Sequence, residues 1–226
     1  MGFTESERHP RNVDAREEPF ADAGWGIRGT LHRPAHANGD AWVFSHGAGS
    51  NSNAPLLVQL AREFAAAGHL VLRHDLPFRQ QRPHGPPFPA GAARDREGIE
   101  RAAEAVRAIS NGRVFLAGHS YGGRQSAMLA AEKPGLAAGL LLLSYPLHPP
   151  RRPDNPRTSF FGELRTPALF AHGTRDPFGT PQELREAMSL ISGPTDLLLV
   201  GGAAHDLARA AGMAEEILGR FGKLIG

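Results

Sequence analysis

A serine between two glycines gives the first indication of chemistry in this chain. Ser120 lies between Gly118 and Gly122, directly after the apolar run Val114–Ala117 and before a helix-forming stretch. A serine on a sharp turn between a buried strand and a helix exposes its hydroxyl for nucleophilic attack. Glycines on either side leave room for that turn. A pattern of five residues also occurs by chance, or as an ordinary helix cap. Whether Ser120 is a nucleophile therefore depends on whether the chain also supplies a base and an acid.

A serine hydroxyl becomes a good nucleophile only when a base removes its proton and a third group orients the base. Asp176 follows the predicted buried strand 167–171, and His205 follows the last predicted strand, 196–200. We therefore predict that Ser120 is the nucleophile, His205 the base and Asp176 the acid that orients it. The alternative interpretations are local: a turn residue for Asp176, and a loop residue or helix N-cap for His205.

Other acids and histidines compete for these roles. The alternative acids are Asp75, Asp154 and Asp206, and the alternative histidines are His119 and His172. Asp75 precedes the serine turn in the chain, Asp154 lies in a proline-rich loop, and Asp206 adjoins the predicted base. We expect the ring next to the serine to point away from it, and the ring at the end of strand 167–171 to bond locally.

A second glycine-rich segment, His46–Ser50, follows the apolar run Ala41–Ser45. Backbone N–H groups in such a loop can stabilise an oxyanion. We assign this role to the N–H groups of Ala48 and Tyr121. Phosphate binding is the alternative for a glycine-rich loop before a helix, but the chain contains neither GxGxxG nor GxxxxGK[ST].

The elements that position these groups alternate between strand and helix. Short apolar runs, typical of strands covered on both faces, alternate with amphipathic helices and short connections. We predict an α/β fold with a mostly parallel twisted sheet, helices on both faces, and one or two antiparallel edge strands within residues 14–33. In such sheets functional groups gather beyond the carboxyl ends of the strands. Helices are predicted over residues 55–67, 94–109, 121–132, 181–190 and 206–221.

Composition narrows the class of protein. The 226 residues fit one domain, and a formal charge of +2 with scattered arginines gives no basic stripe for nucleic acid. Without cysteine there is no disulfide or thiolate ligand. We expect residues 1–12 to be disordered, residues 13–226 to form a single domain, and the protein to be cytoplasmic, with no membrane span, metal or cofactor.

Two loops should flank the entrance to the site. Residues 79–92 hold four prolines, too many for a helix or an inner strand, and residues 145–162 are the longest excursion after the serine. Neither is long enough for more than a minimal lid. Phe78 and Phe88 are candidates for an acyl pocket. Six arginines near the rim are candidates for carboxylate recognition, with a structural role as the alternative for each: Arg73, Arg79, Arg124, Arg151, Arg152 and Arg175.

Taken together, these segments resemble the α/β-hydrolase superfamily over nearly the whole chain. The segments that carry the resemblance are His46–Ser50, Gly118–Gly123, His172–Gly179 and Gly201–Leu207. Tyr145–Pro150 adds a likeness to small predicted hydrolases related to dienelactone-hydrolase-like and testis-expressed hydrolase-like proteins. The resemblance implies a Ser-His-Asp acyl hydrolase that acts on a small molecule. Dienelactone hydrolase itself uses a cysteine nucleophile, which this chain lacks.

Two other functions stay open at this point. One alternative is a non-catalytic interaction module that retains the fold, although the intact set of serine, acid and base argues against it. An acyltransferase or peptidase would use the same three groups. Neither the acyl group, nor the choice among ester, thioester and amide, nor the oligomeric state follows from the sequence.

Overall fold

One eight-stranded sheet organises the molecule. The structure is a computed structural model that describes residues 15–208 and 212–226; the expected disorder of residues 1–12 therefore lies outside the described residues. In chain order the strands are β1 (Arg16–Asp22), β2 (Ile27–Arg33), β3 (Ala41–Ser45), β4 (Leu70–His74), β5 (Val114–His119), β6 (Leu140–Leu143), β7 (Ala168–Gly173) and β8 (Thr195–Val200).

The strands lie side by side in the order β1-β2-β4-β3-β5-β6-β7-β8. β1 pairs antiparallel with β2, and β2 antiparallel with β4, while every pair among β3 to β8 is parallel. The inner strands β3, β4 and β6 are buried at every position, as expected for apolar strands that are covered on both faces. The predicted α/β class and the antiparallel strands near the amino end are confirmed.

The sheet separates two apolar cores, and helices cover both of its faces. The helices are α1 (Pro55–Ala66), α2 (Pro77–Gln81), α3 (Ala92–Arg107), α4 (Tyr121–Glu132), α5 (Pro181–Met188) and α6 (Met213–Ile225), with short 3-10 turns at Pro89–Gly91 and Phe161–Glu163. α3, α4 and α5 pack on one face, and α1 and α6 pack on the other. Neighbouring residues of β3 point to opposite cores: Val43 faces the first, and Trp42 and Phe44 face the second.

Two predictions about helices are wrong. The proline-rich segment 79–92 is not wholly a loop, because α2 includes its first residues and Pro77 occupies the first turn, where the missing N–H costs no hydrogen bond. The last helix does not begin at Asp206. It begins at Met213, and two left-handed positions before it, Leu207 (φ 52°) and Gly212 (φ 77°), interrupt helical geometry.

The parallel arrangement brings the loops after β3, β5, β7 and β8 to one edge of the sheet. These loops hold the glycine-rich segment His46–Ser50, Ser120, Asp176 and His205.

No helix in the described parts of the chain is long and apolar enough to cross a bilayer.

Candidate active site

Ser120 occupies a strained turn between β5 and α4. Its backbone has φ 50° and ψ −112°, a combination that side-chain-bearing residues seldom adopt. A Cβ atom on Gly118 would lie 2.3 Å from the Gly123 nitrogen, and one on Gly122 would lie 2.5 Å from the Ser45 oxygen. Both glycines are therefore required by close backbone contacts, as the sequence pattern indicates. The turn projects Ser120 from the edge of the sheet.

Ser120, His205 and Asp176 form a continuous hydrogen-bonded chain. The Ser120 Oγ lies 2.8 Å from His205 Nε2, and His205 Nδ1 lies 2.8 Å from Asp176 Oδ2. The His205 side chain is 22% exposed, whereas that of Asp176 is fully buried. The imidazole therefore contacts the serine with one nitrogen and a solvent-shielded acceptor with the other.

The carboxyl group of Asp176 is held in its ionised form. Burial alone raises its pKa, but the hydrogen bond and charge of His205, together with the hydrogen bond from the Phe178 N–H (2.9 Å), bring the pKa below its usual value. An ionised carboxylate can only accept hydrogen bonds, so His205 must donate through Nδ1. The Nε2 atom of a neutral ring is then left as an acceptor that faces the Ser120 hydroxyl.

Three contacts that the sequence analysis missed hold His205 in place. The Phe178 ring lies against the imidazole, with ring centroids 4.2 Å apart and planes 31° apart. His119 Nε2 donates to the backbone oxygen of His205 at 2.7 Å. The Arg175 N–H donates to the Ala203 oxygen at 2.9 Å and joins the acid loop to the histidine loop. His119 thus contacts the predicted base. The only feature of the sequence that pointed to such a role was the position of His119 next to Ser120.

The loop after β3 lies against the serine turn. A Cβ atom on Gly47 would meet His119 Nδ1 at 3.0 Å, so the two loops are in close contact. The Arg79 guanidinium braces this loop by donating to the Ala48 oxygen at 3.0 Å and the Ser50 oxygen at 2.7 Å. Among the described residues, no acceptor takes the Ala48 N–H, which leaves that donor available to a ligand.

Tyr121, the first residue of α4, is fixed by its side chain. Its hydroxyl donates to Asp95 Oδ2 at 2.7 Å, and Asp95 Oδ1 accepts from the Phe78 N–H at 3.0 Å. Burial, followed by the hydrogen bond to Asp95, raises the pKa of the Tyr121 phenol well above its usual value, so the phenol stays protonated. The backbone N–H of Tyr121 belongs to the first turn of α4, where donors have no partner within the helix.

The competing residues have structural partners or lie elsewhere. Asp75 accepts from the Ser52 N–H at 2.8 Å and from Arg28 at 3.0 Å. His172 is buried, and its Nε2 lies 2.8 Å from the Gly179 oxygen, which confirms the local role predicted for it. Asp154 and Asp206 are exposed, and neither contacts a histidine side chain in the described structure. Asp176 and His205 are thus the pair that reaches Ser120.

Three of the residues predicted to line the entrance have structural roles or lie in the open. Arg73 is buried below the rim and donates to His32 Nε2 at 2.8 Å. Phe78 is buried against Tyr121, and Phe88 is 65% exposed under the Arg82 guanidinium, so neither ring forms an enclosed acyl pocket. Within the described residues no group of three or more potential ligands could hold a metal ion.

Solved structures with the same architecture include several hydrolases. A dienelactone hydrolase from Anabaena variabilis is 19% identical, with a TM-score of 0.70 over 91% of this chain and 97% of that one. An α/β serine hydrolase homologue from Coxiella burnetii is 18% identical, with a TM-score of 0.70 over 91% and 96%. A serine hydrolase without a lid from Xanthomonas campestris is 18% identical, with a TM-score of 0.69 over 92% and 95%. At these identities the likeness establishes the fold.

Family membership rests on the sequence itself. The family described as the α/β-hydrolase domain matches residues 38–216, which span the strand before the glycine-rich loop, the serine turn, the acid loop and the histidine loop. The match covers well over half of the chain. The chain therefore belongs to the α/β-hydrolase family.

Proposed function

We propose that the protein is a serine hydrolase that cleaves an ester or a related acyl bond through a covalent acyl-enzyme. The observation that carries this proposal is the hydrogen-bonded chain from Ser120 through His205 to Asp176, with both distances at 2.8 Å. The geometry matches what nucleophilic catalysis by a serine requires: a base in contact with the nucleophile, and a fixed acid behind the base.

In the first half of the reaction, His205 Nε2 takes the proton of the Ser120 hydroxyl as Oγ attacks the acyl carbonyl. Asp176 keeps the Nδ1 proton in place and stabilises the imidazolium that forms. The imidazolium then returns the proton to the leaving alcohol or amine, and the acyl group remains on Ser120. In the second half, His205 takes a proton from water, hydroxide attacks the acyl-enzyme, and the proton returns to Ser120 as the acid departs.

The negative oxygen of each tetrahedral intermediate is assigned to the N–H groups of Ala48 and Tyr121. This assignment is supported by the contact of Gly47 with His119, by the bracing of the Ala48 oxygen by Arg79, and by the position of Tyr121 at the start of α4. A helix start favours an anion because its unpaired N–H groups and its dipole point towards it. One such donor contributes about 2.7–4 kcal/mol to transition-state stabilisation.

The test is covalent labelling by a fluorophosphonate probe. Wild-type protein should be labelled at Ser120 and should hydrolyse short esters. Ser120→Ala should lose the label, with a loss of turnover on the order of 10⁶-fold. Ser126→Ala is a matched control on the same helix, because the buried Ser126 Oγ has no hydrogen-bond partner within the described structure. It should be labelled like wild type.

An unlabelled wild type would overturn the proposal and favour a non-catalytic interaction module. Wild-type turnover that Ser120→Ala retains would point to a different site. A comparison of esters, thioesters and aminoacyl amides as substrates, with and without an added alcohol as acyl acceptor, separates an esterase from a peptidase or an acyltransferase.

A further inference from the structure

The accessible side of α4 begins at the serine turn and continues to an arginine. Ser120, Tyr121, Arg124 and Met128 are half-buried, while most of the residues between them are buried, so these four share one stripe. The Arg124 N–H donates to the Ser120 oxygen at 2.9 Å, which places the arginine one helical turn beyond the serine. Helical side chains lean towards the helix N-terminus. The Arg124 side chain therefore leaves the helix on the side of Ser120, and it reaches Tyr145 in the loop after β6.

Arg124 has no carboxylate partner for its charge among the described residues, and its guanidinium interacts with the Tyr145 hydroxyl. Its Nε atom is buried and forms no hydrogen bond within the described structure. No carboxylate of the described residues lies within 4.0 Å of this guanidinium. A buried donor without an acceptor is unfavourable, and more so when the group is charged.

A second arginine adds to this positive charge. Arg157 is half-buried, and burial followed by the charge of Arg124 lowers its pKa. The two arginines meet at Tyr145, whose hydroxyl donates to the Arg157 oxygen at 2.5 Å and also interacts with the Arg124 side chain. Arg157 likewise has no described carboxylate within 4.0 Å. Its Nη1 donates to the Pro146 oxygen at 3.2 Å, which leaves most of the guanidinium donors without a protein acceptor.

The position of Arg157 is set by the loop after β6, the strand next to β5. The Arg157 N–H donates to the Leu147 oxygen at 2.7 Å, and the Arg157 oxygen accepts from the Tyr145 hydroxyl at 2.5 Å. In the same loop, the His148 N–H donates to the oxygen of Phe178, whose ring lies on His205. The second arginine is thus held in a loop that joins the acid loop beside the reacting groups.

The other half-buried or buried arginines among the described residues have protein acceptors. Arg79 donates to four backbone oxygens, and Arg73 donates to His32, the Ser52 oxygen and Asn53. Those two guanidinium groups stabilise loops. Arg124 and Arg157 have free donors and no counter-charge, which is the arrangement that an external anion would complete.

We infer that Arg124 and Arg157 form an anion subsite, and that the substrate carries a carboxylate or phosphate group at a short distance from the acyl carbonyl. This inference rests on the proposed function, because it defines the substrate class of the same serine site. The anion would accept from the guanidinium donors and neutralise two adjacent positive charges. An ester with an anionic group should then be preferred over a neutral ester of equal length.

The experiment compares two methyl esters that have the same chain length. Monomethyl glutarate carries a terminal carboxylate, and methyl valerate carries a methyl group in its place. We expect wild type to favour monomethyl glutarate by about tenfold or more in kcat/KM, since hydrogen bonds to charged groups have this magnitude. Arg124→Gln and Arg157→Gln should each remove most of that preference through a higher KM for the anionic ester, and Arg124→Lys should retain part of it.

A matched control separates the subsite from the overall charge of the protein. Arg185 is exposed on α5, so Arg185→Gln makes the same change in charge away from the pair. An equal loss of preference in that variant would overturn the inference. Unfolding temperatures of all variants identify any that fail to fold. If Arg124→Gln fails to fold, a weaker preference for the anionic ester in folded Arg124→Lys supports the subsite, and an unchanged preference contradicts it.

Inhibition of methyl valerate hydrolysis by free anions identifies the group that binds. Stronger inhibition by glutarate supports a carboxylate, and stronger inhibition by inorganic phosphate supports a phosphate group. Equal hydrolysis of the two esters together with inhibition by neither anion would overturn the inference. Fluorophosphonate labelling keeps the two proposals apart: a labelled wild type that shows neither preference for the anionic ester nor inhibition by either anion contradicts the anion subsite alone.

Discussion

The described residues contain two hydrogen-bonded serine–histidine pairs at the same edge of the sheet, and we propose a catalytic role for only one of them. Ser45 Oγ lies 3.0 Å from His74 Nε2, and Ser120 Oγ lies 2.8 Å from His205 Nε2. Ser45 ends β3 and is paired in register with Gly118 of β5, so the pairs end neighbouring strands. The hydrogen-bond distance does not distinguish the two pairs, but their exposure, backbone geometry and neighbouring charges do.

The two pairs differ in access and in backbone geometry. Ser45 is fully buried within a regular strand, and His74 is 1% exposed. Ser120 lies on a turn with a positive φ, and its histidine is 22% exposed. A substrate can therefore reach Ser120 but not Ser45. The strained turn is what brings one serine out of the sheet.

The two pairs also differ in electrostatics. Burial, followed by the charge of His46, lowers the pKa of His74 to about 3, and its hydrogen bond to Ser45 is structural. His205 instead has the buried Asp176 carboxylate on its second nitrogen, where it would stabilise the imidazolium of the proposed proton transfer. A serine–histidine contact thus requires an acid behind the base and a route for substrate before it indicates a nucleophile.

Among changes to the surroundings of the two pairs, removal of that acid should have the largest effect. Asp176→Asn retains the shape of the side chain but removes its charge and favours the wrong imidazole tautomer. We expect kcat to fall by about 10⁴-fold with little change in the unfolding temperature. The measurement is single-turnover acylation by a chromogenic ester.

Asp75→Asn is the control for this prediction. Asp75 is also buried and accepts a backbone N–H, but within the described structure it forms no hydrogen bond with Ser45 or Ser120. Turnover per folded molecule should stay close to that of wild type. A comparable loss in both variants would mean that Asp176 acts on the fold of the loops and not on His205.

His74, the histidine of the buried Ser45–His74 pair, should make the stability of the fold depend on pH. The folded-state pKa of His74 is about 3, against 6.5 for the free side chain, so below about pH 6.5 the unfolded chain binds a proton that the folded chain does not. The free energy of unfolding should therefore decrease as the pH falls from 6.5 towards 3. His74→Gln should reduce this slope by about 1.4 kcal/mol per pH unit.

Urea unfolding at several pH values between 6.5 and 4 measures the slope. His32, which has a pKa of about 4, still contributes in the variant, so a residual slope is expected. An unchanged slope in His74→Gln would show that His74 does not titrate differently in the folded and unfolded chains.

The smallest expected effect comes from substitution of Ser45, the serine of the buried Ser45–His74 pair. Ser45→Ala removes the partner of His74 Nε2 and should destabilise the fold by about 1–3 kcal/mol, the cost of a buried polar group left without a hydrogen bond. Fluorophosphonate labelling should stay at the wild-type level, in contrast to Ser120→Ala. Loss of labelling in folded Ser45→Ala would contradict a purely structural role for the pair.

Much of the architecture could be predicted from local signals. Apolar runs bounded by glycine located β3 and β5, and α4 begins and ends where the sequence predicts. The start of α6 was missed, because a left-handed residue such as Leu207 has no reliable signature in the sequence. The short helix α2 was not predicted, because the four prolines of residues 79–92 indicate a loop. The one proline within α2, Pro77, lies in its first turn, where proline is favoured.

The sequence by itself determined the serine turn and the order of Ser120, Asp176 and His205, because each follows a recognisable strand and Gly118 and Gly122 mark the tight turn. Only the tertiary structure decided which rings and charges meet. His119 and His205 are 86 residues apart, and Ser45 and His74 are 29 apart. The unsatisfied charges of Arg124 and Arg157 also became visible only when two strand-end loops were brought together. Local patterns specify elements, whereas contacts between distant loops depend on how the sheet aligns the strand ends.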